Sequence, residues 1–262
     1  MFDISAEQII KDSEGDQEYF YNFVLGEPYT PGDLQVSRST ILDCWTSKGL
    51  ETGNFFLGVD VGNVKHYVLG SEKGVMKVGY FSDWKTLDDL MAMYKPVLVI
   101  DAMPDNTMAR HYVKTYRGSR MSFFKENTDN PQTIVWWGEK DKRGIVYSNR
   151  NRVLDQLIDE ILNAKILFAL PNDRELKQFV KHWETLRRIK TVNNRGIERY
   201  EWDSTTGEDH YVFATLYYYL ARMRGGGSEF MEEGVKPRHH FIRDNVVTGP
   251  EEYAEIIASN SV

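Results

Sequence analysis

The segment FFLGVDVGNVKHYVLGS, residues 55–71, decides the fold because it carries an aspartate inside an apolar strand. Residues 55–59 form an apolar run that suits a strand buried on both faces, and Val61 continues it. An ionised carboxylate at Asp60 would be expensive to bury there unless something compensates its charge. A metal ion or a phosphate group is the usual reason for such a placement, so Asp60 is the first candidate functional residue.

The strands around this segment follow from its turns. The turn sequences GN and SEKG favour hairpins and predict three consecutive antiparallel strands over 55–61, 65–70 and 74–81. A helix over 83–94 is stopped by Pro96, and the next apolar strand, VLVID (97–101), ends in Asp101. Because a helix separates this strand from the third, the pattern predicts a mixed sheet in which later strands run parallel to the first.

Further elements complete an α/β fold with helices flanking the sheet. Residues 187–203 form two alternating runs around Asn-Arg-Gly, which predict an added β-hairpin rich in basic residues. The other predicted elements are helices over 105–116, 149–163 and 173–186, strands over 121–125 and 165–169, a hairpin over 133–147, and a last helix that starts near Asp209.

Composition narrows the class of protein. With 262 residues, 41% hydrophobic and 13% aromatic, the chain can bury a sizeable core. Its apolar runs are too short for a membrane span and no secretory leader opens it, so we expect a soluble protein without membrane partners. A single cysteine, Cys44, permits neither an internal disulfide nor a cysteine zinc site. Any metal must therefore bind oxygen or histidine ligands.

The charge is unevenly distributed along the chain. The net charge of -7 argues against a protein that holds nucleic acid by its overall field. Residues 174–199, however, contain eight basic and three acidic side chains. These bases indicate either a solvated helix face followed by a hairpin or a surface that contacts phosphates.

Three acids occupy positions from which they could converge. Asp60 lies on the first strand, Asp101 ends the fourth, and Asp209 begins the last helix. Three carboxylates about 4 Å apart would repel by roughly 4 kcal/mol per pair at an effective dielectric near 20. Divalent ions relieve that repulsion, and two Mg²⁺ or Mn²⁺ ions can promote phosphodiester hydrolysis. The alternative is that each acid has a local structural role. In that case Asp101 closes a strand, Asp209 caps a helix and Asp60 begins a hairpin.

Several motifs together resemble a known nuclease family. The segments GVDVG (58–62), VLVIDAMPD (97–105) and GEDHYVFATLYYYLA (207–221) resemble the ribonuclease H-like nuclease domain of the large terminase subunit of tailed double-stranded DNA bacteriophages. Residues 18–31 are similar to the family's segment between ATPase and nuclease, and residues 149–168 to its helix and strand before the last acid. The resemblance covers about residues 18–224 and implies a ribonuclease H-like fold.

The resemblance implies a metal-dependent endonuclease that cuts concatemeric double-stranded phage DNA during genome packaging. Asp60, Asp101 and Asp209 match the family's metal-binding, catalytic acids, with two Mg²⁺ or Mn²⁺ ions as cofactors. The implied partners are DNA, the packaging ATPase domain, the portal and capsid, and the small terminase subunit, in the host cytoplasm. The chain contains no Walker A sequence, so we expect a nuclease domain (51–224) with a connector or N-terminal arm (1–50) and a flexible C-terminal tail (225–262).

One position departs from the family and leaves a fourth ligand open. Many members carry another aspartate where this chain has Phe213. The candidates for an accessory role are Glu208, His210 and Asp203. His66 and His111 are expected to be structural, and the His239–His240 pair is too little for a zinc site. For DNA contact independent of base sequence, the candidates are Arg187, Arg188, Lys190 and Arg195.

Three other functions remain open at this stage. Sugar kinases and related ATPases share an Asp-x-Gly hairpin but need two such domains and an adenosine-binding glycine loop. A resolvase or transposase core would share the acids and cut branched or transposon DNA instead. A noncatalytic docking module of a packaging complex would retain the acids without turnover.

Overall fold

The computed structural model describes residues 36–127, 133–138, 144–171, 174–192, 198–204 and 206–225. All of them lie within the unit Pro31–Glu233. Their elements, in chain order, are α1 (Arg38–Asp43), β1 (Phe55–Asp60), β2 (Lys65–Ser71), β3 (Gly74–Phe81), α2 (Lys85–Tyr94), β4 (Val97–Asp101), α3 (Asn106–Thr115), β5 (Arg120–Phe124), β6 (Val135–Trp137), β7 (Ile145–Ser148), α4 (Arg150–Leu162), β8 (Leu167–Phe168), α5 (Arg174–Thr185), β9 (Leu186–Val192), β10 (Glu198–Ser204) and α6 (His210–Gly225).

The main sheet has the strand order β6-β7-β5-β4-β1-β2-β3-β8. Strands β1, β2 and β3 pair antiparallel, whereas β4 joins the other side of β1 in parallel and β5 continues in parallel from β4. Strands β9 and β10 pair antiparallel as a separate hairpin. The predicted architecture is confirmed: a mixed sheet of three antiparallel strands followed by parallel strands, flanked by helices, with an added β-hairpin.

Side-chain alternation along β1 divides the core into two layers. Leu57 and Val59 point into the layer covered by α2 and α3, whereas Phe56 points into the layer built from α4, α5 and α6. Because successive side chains of a strand point to opposite faces, Asp60 shares the face of Phe56, which α6 covers. This parity places the acid of the first strand under the last helix.

Helix α6 lies unusually close to β1. A Cβ atom on Gly58 would stand 2.1 Å from the carbonyl oxygen of Ala214 and 2.1 Å from the backbone nitrogen of Tyr218. Glycine is therefore required at position 58, because helix backbone occupies the space of any side chain. Ten residues of α6 are buried, among them Tyr211 and Leu220, which explains why its sequence lacks a polar face.

Some predicted segments lie partly or wholly outside the described residues. Within the predicted arm 1–50, α1 is described, and its Ile41 and the following Cys44 are buried in the α6 layer. The predicted tail beyond Gly225 and the hairpin turn that contains Arg195 lie outside the described residues. Among the described helices, none combines the length and the apolar character that crossing a membrane requires.

Candidate active site

Asp60 and Asp101 end two adjacent strands on the same face of the sheet. In the parallel pairing of β1 with β4, Val59 lies opposite Ile100, so the next residue on each strand is an acid. The Asp60 residue is 8% exposed, and the backbone N–H of Met103 donates to Oδ1 of Asp101 at 3.1 Å. The carboxyl ends of the two strands thus bring two carboxylates to one edge of the sheet.

Asp209 immediately precedes α6, the helix that crosses this face. Its carbonyl oxygen accepts hydrogen bonds from the backbone N–H groups of Val212 at 2.9 Å and Phe213 at 3.2 Å. The Asp209 side chain therefore stands at the N-terminal end of the helix, where the macrodipole favours a negative charge.

The three carboxylates act on one another electrostatically. Burial raises the pKa of Asp60, the hydrogen bond from His210 opposes this rise, and the charge of Asp209 adds to it. The pKa of Asp101 is raised to about 7, mainly by burial and in part by the charge of Asp60. The pKa of Asp209 is raised by burial and lowered by the charges of His210 and Arg150. Such a site favours either a bound proton or a cation.

A pair of histidines completes the surroundings of Asp60. Nδ1 of His210 lies 2.9 Å from Oδ2 of Asp60, and this hydrogen bond raises the pKa of His210. In the pairing of β1 with β2, His66 lies directly opposite Asp60 and stacks on His210 with ring centroids 4.8 Å apart. Among the described residues, one group of potential ligand atoms lies within 4.8 Å of one another: Asp60, His66 and His210. Asp101 and Asp209 lie outside that group.

A third histidine supports the start of α6. Nδ1 of His182, at the end of α5, accepts a hydrogen bond from the backbone N–H of Tyr211 at 3.2 Å. The pKa of His182 is lowered to about 4, mainly by burial and in part by the charge of His210. The pKa of His66 is likewise lowered to about 4, by burial and by the charges of His210 and His182. Both rings are consequently neutral near pH 7.

Glu208 and Asp203 have hydrogen-bond partners of their own, although the charge of Asp203 raises the pKa of Asp209. Glu208 pairs with Lys181 at 2.6 Å on the surface, and this contact lowers the pKa of Glu208. Asp203 is exposed on β10, where its Oδ1 accepts the backbone N–H of Ser204. His111 is exposed on α3, and the His239–His240 pair lies outside the described residues. Of the accessory candidates, His210 is the one that contacts a predicted ligand.

The basic hairpin is fixed to α4 by its buried tryptophan. Nε1–H of Trp202 donates to Oδ1 of Asp155 at 2.7 Å, and Asp155 also pairs with Arg188 at 3.4 Å. The guanidinium of Arg150, at the start of α4, donates to the carbonyl oxygen of Trp202 at 2.7 Å. Arg188 is thus engaged within the protein and lies over the Tyr200 ring, whereas Arg187 is exposed. Lys190 is exposed as well, and Arg195 lies outside the described residues.

Two further side chains at the acids escaped the sequence analysis. Arg150 lowers the pKa of Asp209 through its charge, and the buried Tyr217 hydroxyl interacts with Asp101. Both lie in segments that carry the resemblance, but no local signal distinguishes them. Arg150 begins a helix whose apolar stripe indicates only packing, and Tyr217 lies in a run of three tyrosines. His66 did carry a signal, because a short turn after Asp60 brings the start of the next strand opposite it.

The donor set fits a divalent cation. Carboxylate oxygens are the ligands that Mg²⁺ and Mn²⁺ prefer, and imidazole nitrogen accommodates transition metals. The raised pKa values of the three aspartates show that their negative charges are incompletely compensated by the protein's own groups. A cation bound among them would lower the free energy of their charged forms.

Comparison with known proteins identifies similar folds. No protein-family profile matches the chain, and no curated protein sequence matches it. Among solved structures it is similar to the nuclease domain of the large terminase subunit of bacterial virus Sf6, with 10% identity and a TM-score of 0.49 over 71% of this chain and 97% of that chain. It is also similar to the large terminase nuclease of thermophilic phage G20c with bound magnesium, with 12% identity and a TM-score of 0.45 over 73% of this chain and 98% of that one.

A longer chain shows the same similarity. The large terminase of another thermophilic bacteriophage is 11% identical, with a TM-score of 0.46 over 83% of this chain and 52% of that chain. The likeness is one of fold. These solved structures are of large terminases and their nuclease domains, the proteins that the sequence motifs resemble.

Proposed function

We propose that this protein is a metal-dependent endonuclease that cuts concatemeric double-stranded phage DNA during genome packaging. The observation that supports the proposal is the placement of Asp60 and Asp101 side by side on β1 and β4, under the helix that Asp209 begins. Burial of carboxylates at adjacent strand ends destabilises the fold without a ligand, so a function is the better reason for it.

Asp60, Asp101 and Asp209 would hold two Mg²⁺ or Mn²⁺ ions. Bound there, the ions would supply an activated water and stabilise the leaving oxygen of the phosphodiester. The chain's own groups orient these ligands: His210 fixes one oxygen of Asp60, and the Met103 N–H fixes one oxygen of Asp101. Arg150 contributes a positive charge beside Asp209, where a scissile phosphate would need it.

The basic hairpin is the proposed surface for the DNA backbone. Arg187 and Lys190 are exposed on β9, and we assign phosphate contacts to them together with Arg188 and Arg195. The engagement of Arg188 with Asp155 makes its contribution the smallest among the described members of this set. Phosphate contacts carry no base information, so cleavage would be independent of sequence.

The biological setting follows from the same proposal. Residues 51–224 would form the nuclease domain, with 1–50 as a connector and 225–262 as a flexible tail. The domain would act beside a packaging ATPase domain, the portal and capsid, and the small terminase subunit, in the host cytoplasm.

Cleavage of supercoiled plasmid tests the proposal. The native protein should nick and linearise plasmid with Mg²⁺ or Mn²⁺ and lose activity in EDTA, and Asp60→Asn and Asp209→Asn should each lower the rate at least about 100-fold. Asp89→Asn, on the exposed surface of α2 away from the acids, is the matched control and should cleave like the native protein.

The same assay distinguishes the other candidate functions. Preference for a four-way junction over linear duplex would favour a resolvase-type enzyme. Absence of metal-dependent cleavage on every DNA, or equal cleavage by both aspartate variants, would contradict the nuclease and leave a docking module.

A further inference from the structure

We infer that Asp60, His66 and His210 form a mixed nitrogen and oxygen site that binds a transition-metal dication such as Zn²⁺ or Co²⁺. The inference deepens the proposed function and rests on it in one respect, because Asp60 is shared with the proposed catalytic acids. It adds two imidazole ligands from β2 and α6 to a site that the motifs describe with carboxylates alone.

The three side chains are held together by separate parts of the fold. The register of β1 with β2 sets His66 opposite Asp60, and opposite residues of an antiparallel pair project to the same face. Helix α6 begins at His210, whose Nδ1 lies 2.9 Å from Oδ2 of Asp60. The ligand atoms of all three lie within 4.8 Å of one another, so small side-chain rotations would bring them around one ion.

His66 lies in a buried aromatic setting beside His210. Nδ1 of His66 is buried and makes no hydrogen bond of normal geometry within the described part of the chain. The two rings are nearly parallel, at 8°, and Tyr211 packs edge-on against His66 with centroids 4.8 Å apart. His66 has a backbone interaction with Val64 that falls short of normal hydrogen-bond geometry, so the buried nitrogen is weakly satisfied and would gain from a ligand.

Access to the site exists on one side. The side chain of His210 is 42% exposed, whereas that of Asp60 is 11% exposed. An ion can therefore arrive from solvent at His210 and exchange the hydrogen bond between His210 and Asp60 for two coordination bonds.

The donor types determine which ion is favoured. Mg²⁺ prefers six oxygen ligands in octahedral geometry, whereas imidazole suits Zn²⁺, Co²⁺ and Ni²⁺. Two nitrogens and one carboxylate match a site of three protein ligands with an open position for water or substrate. The histidine site should therefore discriminate strongly against Mg²⁺.

Binding of Co²⁺ to the full chain, followed by its visible absorption, tests the site without any DNA. The native protein should show d–d bands of the low-symmetry, nitrogen-ligated type, which Zn²⁺ abolishes by competition and Mg²⁺ does not. His66→Asn and His210→Asn should each weaken Co²⁺ binding about 10-fold or more. His111→Asn, an exposed histidine on α3, is the matched control and should bind like the native protein.

A folding check and a second substitution keep the result decisive. Circular dichroism should show native secondary structure in each variant, and His66→Gln provides a different side chain if His66→Asn unfolds. Unchanged Co²⁺ spectra and affinity in folded variants of both histidines would overturn the inference. Histidine-dependent Co²⁺ binding without any DNA cleavage would support the metal site and contradict the nuclease. DNA cleavage together with histidine-independent Co²⁺ binding would support the nuclease and contradict the histidine site.

Discussion

At the scale of single residues, the charge state of buried groups governs this site. Asp101 has a folded pKa of about 7 against an ordinary value of 3.8, mainly because burial disfavours its charged form. The folded state therefore binds more protons than the unfolded state between these values, and stability falls as the pH rises through this window. Above pH 7 the metal-free protein bears the full cost of an ionised Asp101.

Because burial disfavours the charged form of Asp101, removing this proposed catalytic acid should stabilise the metal-free protein. Asp101→Asn should raise the free energy of unfolding by up to about 4 kcal/mol at pH 8 and change it little at pH 4, because asparagine is neutral at both values. Its amide oxygen can still accept the Met103 N–H. Urea unfolding in EDTA at the two pH values measures the effect. A variant less stable than the native protein at pH 8 would contradict it.

His182 should respond to pH with the opposite sign. Its folded pKa of about 4 lies below the ordinary value of 6.5, so the unfolded state binds more protons between them and stability falls as the pH drops through this window. Protonation of Nδ1 would also break the hydrogen bond from the Tyr211 N–H. Allowing for screening by solvent, the expected contribution of His182 to this loss is up to about 2 kcal/mol.

The variant His182→Asn, which places an oxygen near the position of Nδ1, tests this contribution. Its Oδ1 can accept the Tyr211 N–H without titrating, so the variant should lose less stability than the native protein between pH 7 and pH 4. Urea unfolding at several pH values gives both curves, and their difference cancels the titration of other groups. Parallel curves would show that His182 does not contribute.

At the scale of elements, the close approach of α6 to β1 constrains the residue at position 58. The Cβ atom of Gly58→Ala would meet the backbone of Ala214 and Tyr218 at 2.1 Å, and backbone cannot rotate away as a side chain can. We expect a loss of at least about 3 kcal/mol in the free energy of unfolding, or failure to fold. Gly49→Ala is the control, because nothing lies within 4 Å of its Cβ position. Denaturant unfolding of both variants measures the difference, and equal stability would contradict this account.

The β9–β10 hairpin makes a separate prediction about DNA. Arg187→Gln should weaken binding to linear duplex and lower the slope of log K against log salt by about 1, because each phosphate contact releases roughly 0.9 counterions. Lys85→Gln, exposed on α2, removes the same charge elsewhere and should leave the slope unchanged. Fluorescence anisotropy over a range of salt concentrations measures both, and an equal effect of the two variants would exclude a contact specific to the hairpin.

The elements were largely predictable, whereas the contacts that other elements make with the start of α6 were not. Hairpin turns and uninterrupted apolar runs are local signals, so β1 to β4 and their pairing followed from the sequence. His182 lies at the end of α5 and meets Tyr211 only through the packing of α5 on α6, which no local pattern encodes. Arg150 likewise reaches Asp209 and Trp202 through tertiary contacts. Contacts between residues of different elements leave no signal in the periodicity of either segment.

At the scale of the whole molecule, the proposed metal ligands would couple metal binding to folding. They come from β1, β4 and the start of α6, which are widely separated along the chain but meet in the folded sheet. An unfolded chain cannot present this ligand set, so a bound ion stabilises the folded state alone. Without metal, the carboxylates repel one another and destabilise the folded state. This repulsion increases the difference in stability between the metal-bound and the metal-free protein.

The coupling predicts metal-dependent stability that one substitution removes. At 100 times its dissociation constant, Mn²⁺ should raise the free energy of unfolding of the native protein by about 2.7 kcal/mol, and EDTA should reverse the effect. Asp60→Asn should lose most of this gain while being at least as stable as the native protein without metal, because its buried charge is gone. Asp89→Asn should keep the full gain. Thermal unfolding with and without Mn²⁺ measures all three proteins, and an equal gain in Asp60→Asn would mean that the stabilising ion binds somewhere other than the buried carboxylate of β1.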